Sequence, residues 1–383
     1  MESSVALRTE YDDNINLTAE PHSAVWGLLL APEVKFSGAT EALKVTGGLR
    51  ASFNRYFGQS GLDSVDHAVS VHTTYKAERD LFGADVESVR DSTLVSELLQ
   101  TGVVQARRER NRLTAAPSWS HYVTENTALT ASYGYTDVRY ADTRDTSLID
   151  YREQQASVGV LTNLSERDTL AVSGYYDWYE TIPRTFDAKT YGLQAKYDRA
   201  FSETLRGTLA IGARNTNSTQ SSNALVCSGP VLFGLCVGSL ERLTVVESDR
   251  STGYTFLAGI DKKFETAQVG AQLSREIYPT GIGALVQTDR LGATWQQQLS
   301  PTLDFFVDAS IYQTRYVGSF VTGSDSRYYR IEPRLTWRFT DNWTLLGGYS
   351  YGHVQYQQSS PSATANVVYL VVSYTWPKLS VSR

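Results

Sequence analysis

Arginine is the residue type best placed to do chemistry in this chain of 383 residues. Arg108, Arg110 and Arg112 fall at every second position of RRERNR, and Arg330, Arg334 and Arg338 keep even spacing through RIEPRLTWR. On an extended backbone even spacing places side chains on one face. Arg50, Arg206, Arg214 and Arg290 share the polar phase of their own segments, together with Lys44, His72, Lys76, Lys196, Asp198, Asp261, Lys263, Asp304, Asp308 and Glu332. Guanidinium groups grip carboxylates and phosphates bidentately. If this phase faces a confined aqueous space, rows of arginine make a positive wall whose field is focused by the low-dielectric surroundings. Such a wall suits anionic solutes or an acidic polysaccharide, with Tyr175 and Tyr312 on the same phase to stack on sugar faces. The competing use is bracing, each arginine paired with an Asp or Glu across strands.

Other chemistries lack their residues. The five histidines are His22, His67, His72, His121 and His353, and only His67, beside Asp63 and Asp66, resembles half of a rim dyad. GxSxG, HExxH, Walker and dinucleotide-binding glycine patterns are missing. RTEYDDN lacks the spacing of a calcium loop. The expectation is a non-enzyme without metal or cofactor. Cys227 and Cys236 lie in CSGPVLFGLC, wrongly spaced for a CxxC motif, and read as a loop disulfide of an oxidising compartment.

The elements that must position these residues are strands. From Leu43 to Phe53 the odd positions carry Leu, Val, Gly, Leu, Ala and Phe, and the even ones Lys, Thr, Gly, Arg and Ser. The alternation recurs around residues 205–214, 303–312 and 330–338, and no segment carries a helical apolar stripe. Short connectors such as TENT (124–127), FSET (201–204) and FTDN (339–342) alternate with longer ones such as 57–67, 140–150 and 317–326. The longest apolar runs, 24–31 and 366–372, fall far short of the ~20 residues of a membrane-spanning helix.

Composition agrees. The chain has 24 Tyr, 13 Phe and 7 Trp, 41% hydrophobic residues and a net charge of −6, which argues against disorder and against a nucleic-acid binder. Aromatics including Trp119, Tyr133, Tyr140, Trp178, Tyr179, Trp337, Trp343 and Trp376 gather toward strand ends, as in the girdles of membrane barrels. The sequence therefore predicts an all-β, single-domain chain over residues 1–383. It is a transmembrane antiparallel up-and-down barrel of about 18 strands, in the bacterial outer membrane, with both termini periplasmic. Residues 2–20 show no signal peptide, as in a mature chain with Met1 added. Residues 366–376 should close the barrel against a first strand around 11–18, and 217–250 should be a long extracellular loop, a candidate plug or lid.

LRTEYDDNINLTAEP (7–21), RNRLTAAPSWSHYVTENTALTASYGYTDVRY (110–140) and YREQQASVGVLTNLSERDTL (151–170) resemble barrels grouped as beta-barrel porin 2-like outer-membrane proteins, found with exopolysaccharide and PEP-CTERM/exosortase systems. The resemblance implies a channel for surface exopolysaccharide export working with a periplasmic partner. The alternatives are a general or anion-selective nutrient porin, and a barrel sheath around a periplasmic electron-transfer protein. Against the porin stands the lack of an obvious inward constriction loop, although 94–101 could serve. Partners otherwise reduce to outer-membrane lipid, with no nucleic acid; no oligomer face can be read.

Overall fold

The computed structural model describes residues 1–19, 22–58, 60–228, 231–232, 235–236, 239–318, 325–356 and 362–378. Among these, eighteen strands form one antiparallel sheet that closes on itself. The first strand, Glu2–Asp12, pairs on one side with Val25–Ala39 and on the other with Ala363–Thr375, placing Ser4 opposite Thr375 and Asp12 opposite Val367. The first strand thus starts earlier than expected. Residues 13–18, read as its second half, turn inward because Asn14 is held by Asp12, Thr18 and the Thr364 carbonyl.

Closure follows from the side-chain pattern. One phase of each strand presents Leu28, Leu49, Val158, Leu193, Ile211, Leu291 or Leu370 outward, exposed on the barrel exterior. An apolar exterior is stable only against lipid, and lipid forbids unpaired strand edges. Trp119, Trp337, Trp343 and Trp376 ring the exterior near one end, and Trp26, Tyr176, Tyr191 and Tyr254 lie nearer the other. Tyr140 and Tyr179, expected in these girdles, point inward and are buried.

Both described chain ends emerge at the end of the short turns. Several of these are built alike. Thr40, Thr124, Ser202 and Thr340 each accept, on the side-chain oxygen, the amide N–H three residues on, at 3.0–3.1 Å. The hydroxyl mimics a backbone turn, which is why Ser or Thr opens these connectors.

The opposite end is less regular than the sequence suggested. The connectors 183–185 and 281–283 are only three residues long. The segment 217–250 is for the most part a paired hairpin and not an irregular loop: strands Leu205–Cys227 and Leu240–Lys263 pair continuously from Leu205↔Lys262 to Cys227↔Leu240. Residues 215–223, NTNSTQSSN, are polar on both phases, so the run reads as loop although the ladder continues. The Cys227–Cys236 bond rests on the Cys236 side chain, outside the described residues. It stands as a proposal, for which thiol titration of denatured, unreduced protein should find no free thiol.

One seam stops short. Strand Leu240–Lys263 pairs with Ala267–Thr280 only from Phe256↔Arg275 to Lys263↔Gln268. Above it, the hairpin that Ala267–Thr280 forms with Ala284–Ser300 parts from Leu240–Lys263 and its tip bends into the lumen, while Ala284–Ser300 keeps its ladder to Leu303–Tyr316 up to Val286↔Tyr316. Its tip residue Leu285 packs with Val138, Tyr140, Tyr151, Tyr179, Phe186 and Ala188, all inward-facing residues of the facing wall.

Candidate functional site: a lumen closed from within

The mouth opposite the short turns holds the apolar core of the molecule. Three inserts fill most of it, residues 13–18, the segment 93–108 and the bent hairpin tip around 281–285, with Leu148 of the connector 141–149 packed beside that tip. The segment 93–108 joins strands Asp80–Ser92 and Glu109–Tyr122 and contains the one α-helix among the described residues, Ser96–Thr101. The part that crosses the lumen is 94–101, the stretch that the sequence offers as a possible constriction. Leu98, with Leu94 and Val104 beside it, packs on Leu17 and on Tyr312, Tyr328, Val354 and Ala363 of the far wall.

Two polar anchors fix the crossing. At the far end the last carbonyls of the helix, which a helix cannot satisfy itself, accept hydroxyls of the opposite wall. Thr288 and Thr314 donate to the Thr101 carbonyl at 2.9 and 2.7 Å, and Tyr312 donates to that of Leu99 at 3.0 Å. Gly102 ends the helix with φ +70°, its N–H donating to the Leu98 carbonyl, and an added Cβ would meet that of Tyr312 at 2.6 Å. Both the left-handed backbone and the close approach demand glycine.

At the near end Glu97 is the hub. Its Oε1 accepts from Gln105 Nε2 at 2.8 Å and from the Gly281 amide at 2.9 Å; its Oε2 accepts from the Tyr140 hydroxyl at 2.8 Å. Arg110 lies 3.7 Å from the same oxygen, and also meets Asp91 at 3.5 Å and the Ser96 hydroxyl. Glu97 and Arg110 are each only 1% exposed. Burial pushes the Glu97 carboxyl above its ordinary range, opposed by Arg110 and the hydrogen bonds it receives. One carboxylate therefore ties the crossing segment to two strands and to the bent hairpin. A Cβ on Gly281 would fall 2.5 Å from the Tyr140 hydroxyl, so the hairpin turn reaches Glu97 only as glycine.

The arginine rows divide. Arg108 lies outside the strand, which begins at Glu109; it is held by the carbonyls of Asp142 and Arg107. Arg110 belongs to the hub. Arg112 pairs with Glu87 at 2.7 Å. Arg330 lies between Asp308 at 2.7 Å and Glu332, Arg334 rests over the Phe306 ring beside Glu332, and Arg338 meets Asp304 at 2.9 Å. These rows are braces, and the uniformly positive wall expected from them is absent, because the carboxylates fall on the same inward phase of neighbouring strands. Arg50, Arg206, Arg214 and Arg290 form no ion pair among the described residues. Arg214 donates to Thr216, with Gln287 at the 3.5 Å limit, and Arg290 stacks over Tyr312. Tyr312, expected to offer a face to sugars, is itself 1% exposed. A cavity of about 470 Å³ remains beneath the crossing segment, lined by Arg8, Glu10, Arg50, Tyr56, Asp66 and Arg107 among others.

Closure of all eighteen strands around this lumen, with an apolar exterior, decides the class. The chain is an outer-membrane β-barrel. No protein-family model matches the sequence, and no curated protein matches it. Among solved structures, the ferric-catecholate import receptor Fiu of E. coli K12 in its open form is similar over 98% of this chain and 81% of that one, at 9% identity and a TM-score of 0.50. OccK2 of Pseudomonas aeruginosa aligns over 98% of this chain and 97% of its own, at 9% identity and a TM-score of 0.49. OccK8 of the same organism aligns over 99% and 98%, at 11% identity and a TM-score of 0.44. Identities this low speak to the fold and not to cargo.

Proposed function

We propose that the protein is a gated channel for small polar solutes, the nutrient-porin reading, with its short-turn end and both termini in the periplasm. The crossing of the lumen by 93–108 carries this reading. An eighteen-strand barrel encloses an aqueous bore unless something fills it, and here the insert that crosses from wall to wall is one tethered segment with polar anchors at both ends. It supplies the inward constriction that a porin needs and that the sequence offers only at 94–101. Polysaccharide export fits less well, since a polymer would need all three inserts to leave the mouth together. Among the described residues, nothing on the inner surface favours the sheath reading. The proposal assigns no catalysis, metal or cofactor.

The test is reconstitution into planar bilayers and sugar-loaded liposomes. Discrete, ohmic openings and swelling with small sugars support the channel; electrically silent bilayers, for both the native chain and one lacking 95–106, overturn it. A further expectation concerns selectivity. With Arg330, Arg334 and Arg338 compensated by Asp308, Glu332 and Asp304, that row of the native lumen should add little preference between small cations and anions. Replacing Arg330, Arg334 and Arg338 by Gln frees Asp304, Asp308 and Glu332, and the reversal potential in a salt gradient should move toward cation selectivity. A shift toward anions, or none, contradicts the pairing.

A further inference from the structure

On the exterior, the register of five neighbouring strands stacks three rows of outward side chains. The lowest is Val158, Gly174, Leu193, Ala213 and Tyr254; above it come Ala156, Tyr176, Tyr191, Asn215 and Thr252; above that, toward the mouth, Gln154, Trp178, Lys189, Asn217 and Arg250. The small residues Ala156, Gly174 and Ala213 leave a hollow of about 710 Å³ between Tyr176, Tyr191 and Leu193. Lys189, Asn217 and Arg250 are exposed directly over it. Neither cation is ion-paired among the described residues, and Arg250 Nε donates to Asn215 Oδ1 at 3.3 Å, which draws it down toward the hollow. The carboxylates one row further up, Glu180 and Asp187, are both engaged by Arg184, at 3.7 and 3.5 Å, and that of Asp249, on the opposite phase of the strand, accepts the backbone N–H of Arg250 at 2.8 Å.

We infer that this face is a binding site for a phosphate-bearing lipid of the leaflet at the mouth end. An acyl chain lies over Gly174 and Ala213, and the phosphate meets Lys189, Asn217 and Arg250. An apolar hollow alone would take any chain. The charge above it selects: two cations and an amide sit just beyond the tyrosines Tyr176 and Tyr191, where headgroups begin. The inference depends on the membrane placement of the barrel and not on what crosses its lumen.

The test is native mass spectrometry of the full chain exchanged into detergent with phosphatidylglycerol or phosphatidylcholine of identical acyl chains. The native protein should retain the anionic lipid preferentially. Lys189→Gln with Arg250→Gln should lower that preference at least about fivefold per cation. Gly174→Leu should lower retention of both lipids, since a Cβ there meets only ordinary contacts, Leu193 Cδ2 at 3.5 Å. Heat-modifiable electrophoretic mobility confirms that each variant is folded. Equal retention of the two lipids, or a preference unmoved by the double substitution, overturns the site. So does a dimer cross-linked through Leu193→Cys, which would assign the face to a second copy.

Discussion

Excising residues 95–106 and bridging Leu94 to Arg107 with Gly-Ser should raise single-channel conductance several-fold and make it insensitive to voltage-driven closure. The bridge is feasible because the Thr93 amide already donates to the Arg108 carbonyl at 3.0 Å, so the segment leaves and re-enters the wall at adjacent positions. The barrel should survive, because its closure rests on continuous ladders that the segment does not join. The cost falls on Leu17, Tyr312 and Tyr328, which lose their cover and face water. A folded, heat-modifiable variant with unchanged conductance would show that the crossing segment does not limit flow. Loss of folding would instead make the segment part of the barrel's core.

The second large effect is expected at the hub. Glu97→Leu leaves Arg110 buried with only Asp91 at 3.5 Å as counter-charge, and strands the Tyr140 hydroxyl and Gly281 amide. Breaking a buried pair this way costs about 3–5 kcal/mol. At the lower end that is roughly a hundredfold in the ratio of seated to unseated segment. Recordings should pass from long quiet states to frequent flicker, and a protease should cut within 93–108 sooner than in the native protein. Adding Arg110→Met should recover part of the loss, since two apolar partners need no counter-charge. If Glu97→Leu alone leaves both noise and proteolysis unchanged, the hub does not hold the segment. Gly102→Val attacks the other anchor through a positive φ and a clash with Tyr312. It should give the same flicker without disturbing Arg110.

Much of the barrel could be read from the chain because its rule is local. Alternation at Leu43–Phe53 or Leu303–Tyr312 assigns each residue to lipid or lumen without knowing its partner strand, and Ser or Thr opening a short connector marks the turn by a hydrogen bond three residues long. The extended hairpin around 217–250 escaped this rule: above the membrane both faces meet water, and alternation disappears while the ladder persists. Arg110 was found as a member of a row, but its work lies with Glu97, a residue with no periodic signal inside a six-residue helix. Glu97, Tyr140, Gly281 and Tyr312 come from four separate stretches of sequence, and no spacing links them.

The sequence by itself determined the class of structure, the approximate number of strands, the lipid-facing surface and the inward phase of the arginines that lie within strands. Those follow from period-two patterning and from the requirement that every backbone group in lipid find a partner. Only the tertiary structure decided that Arg112, Arg330 and Arg338 are braced by facing carboxylates, that one hairpin tip bends into the lumen, and that 93–108 crosses it. Inward polar side chains look alike in sequence whether they meet water, an opposing charge or a packed insert. What each one meets depends on the strand opposite, and barrel closure sets that over separations of up to hundreds of residues.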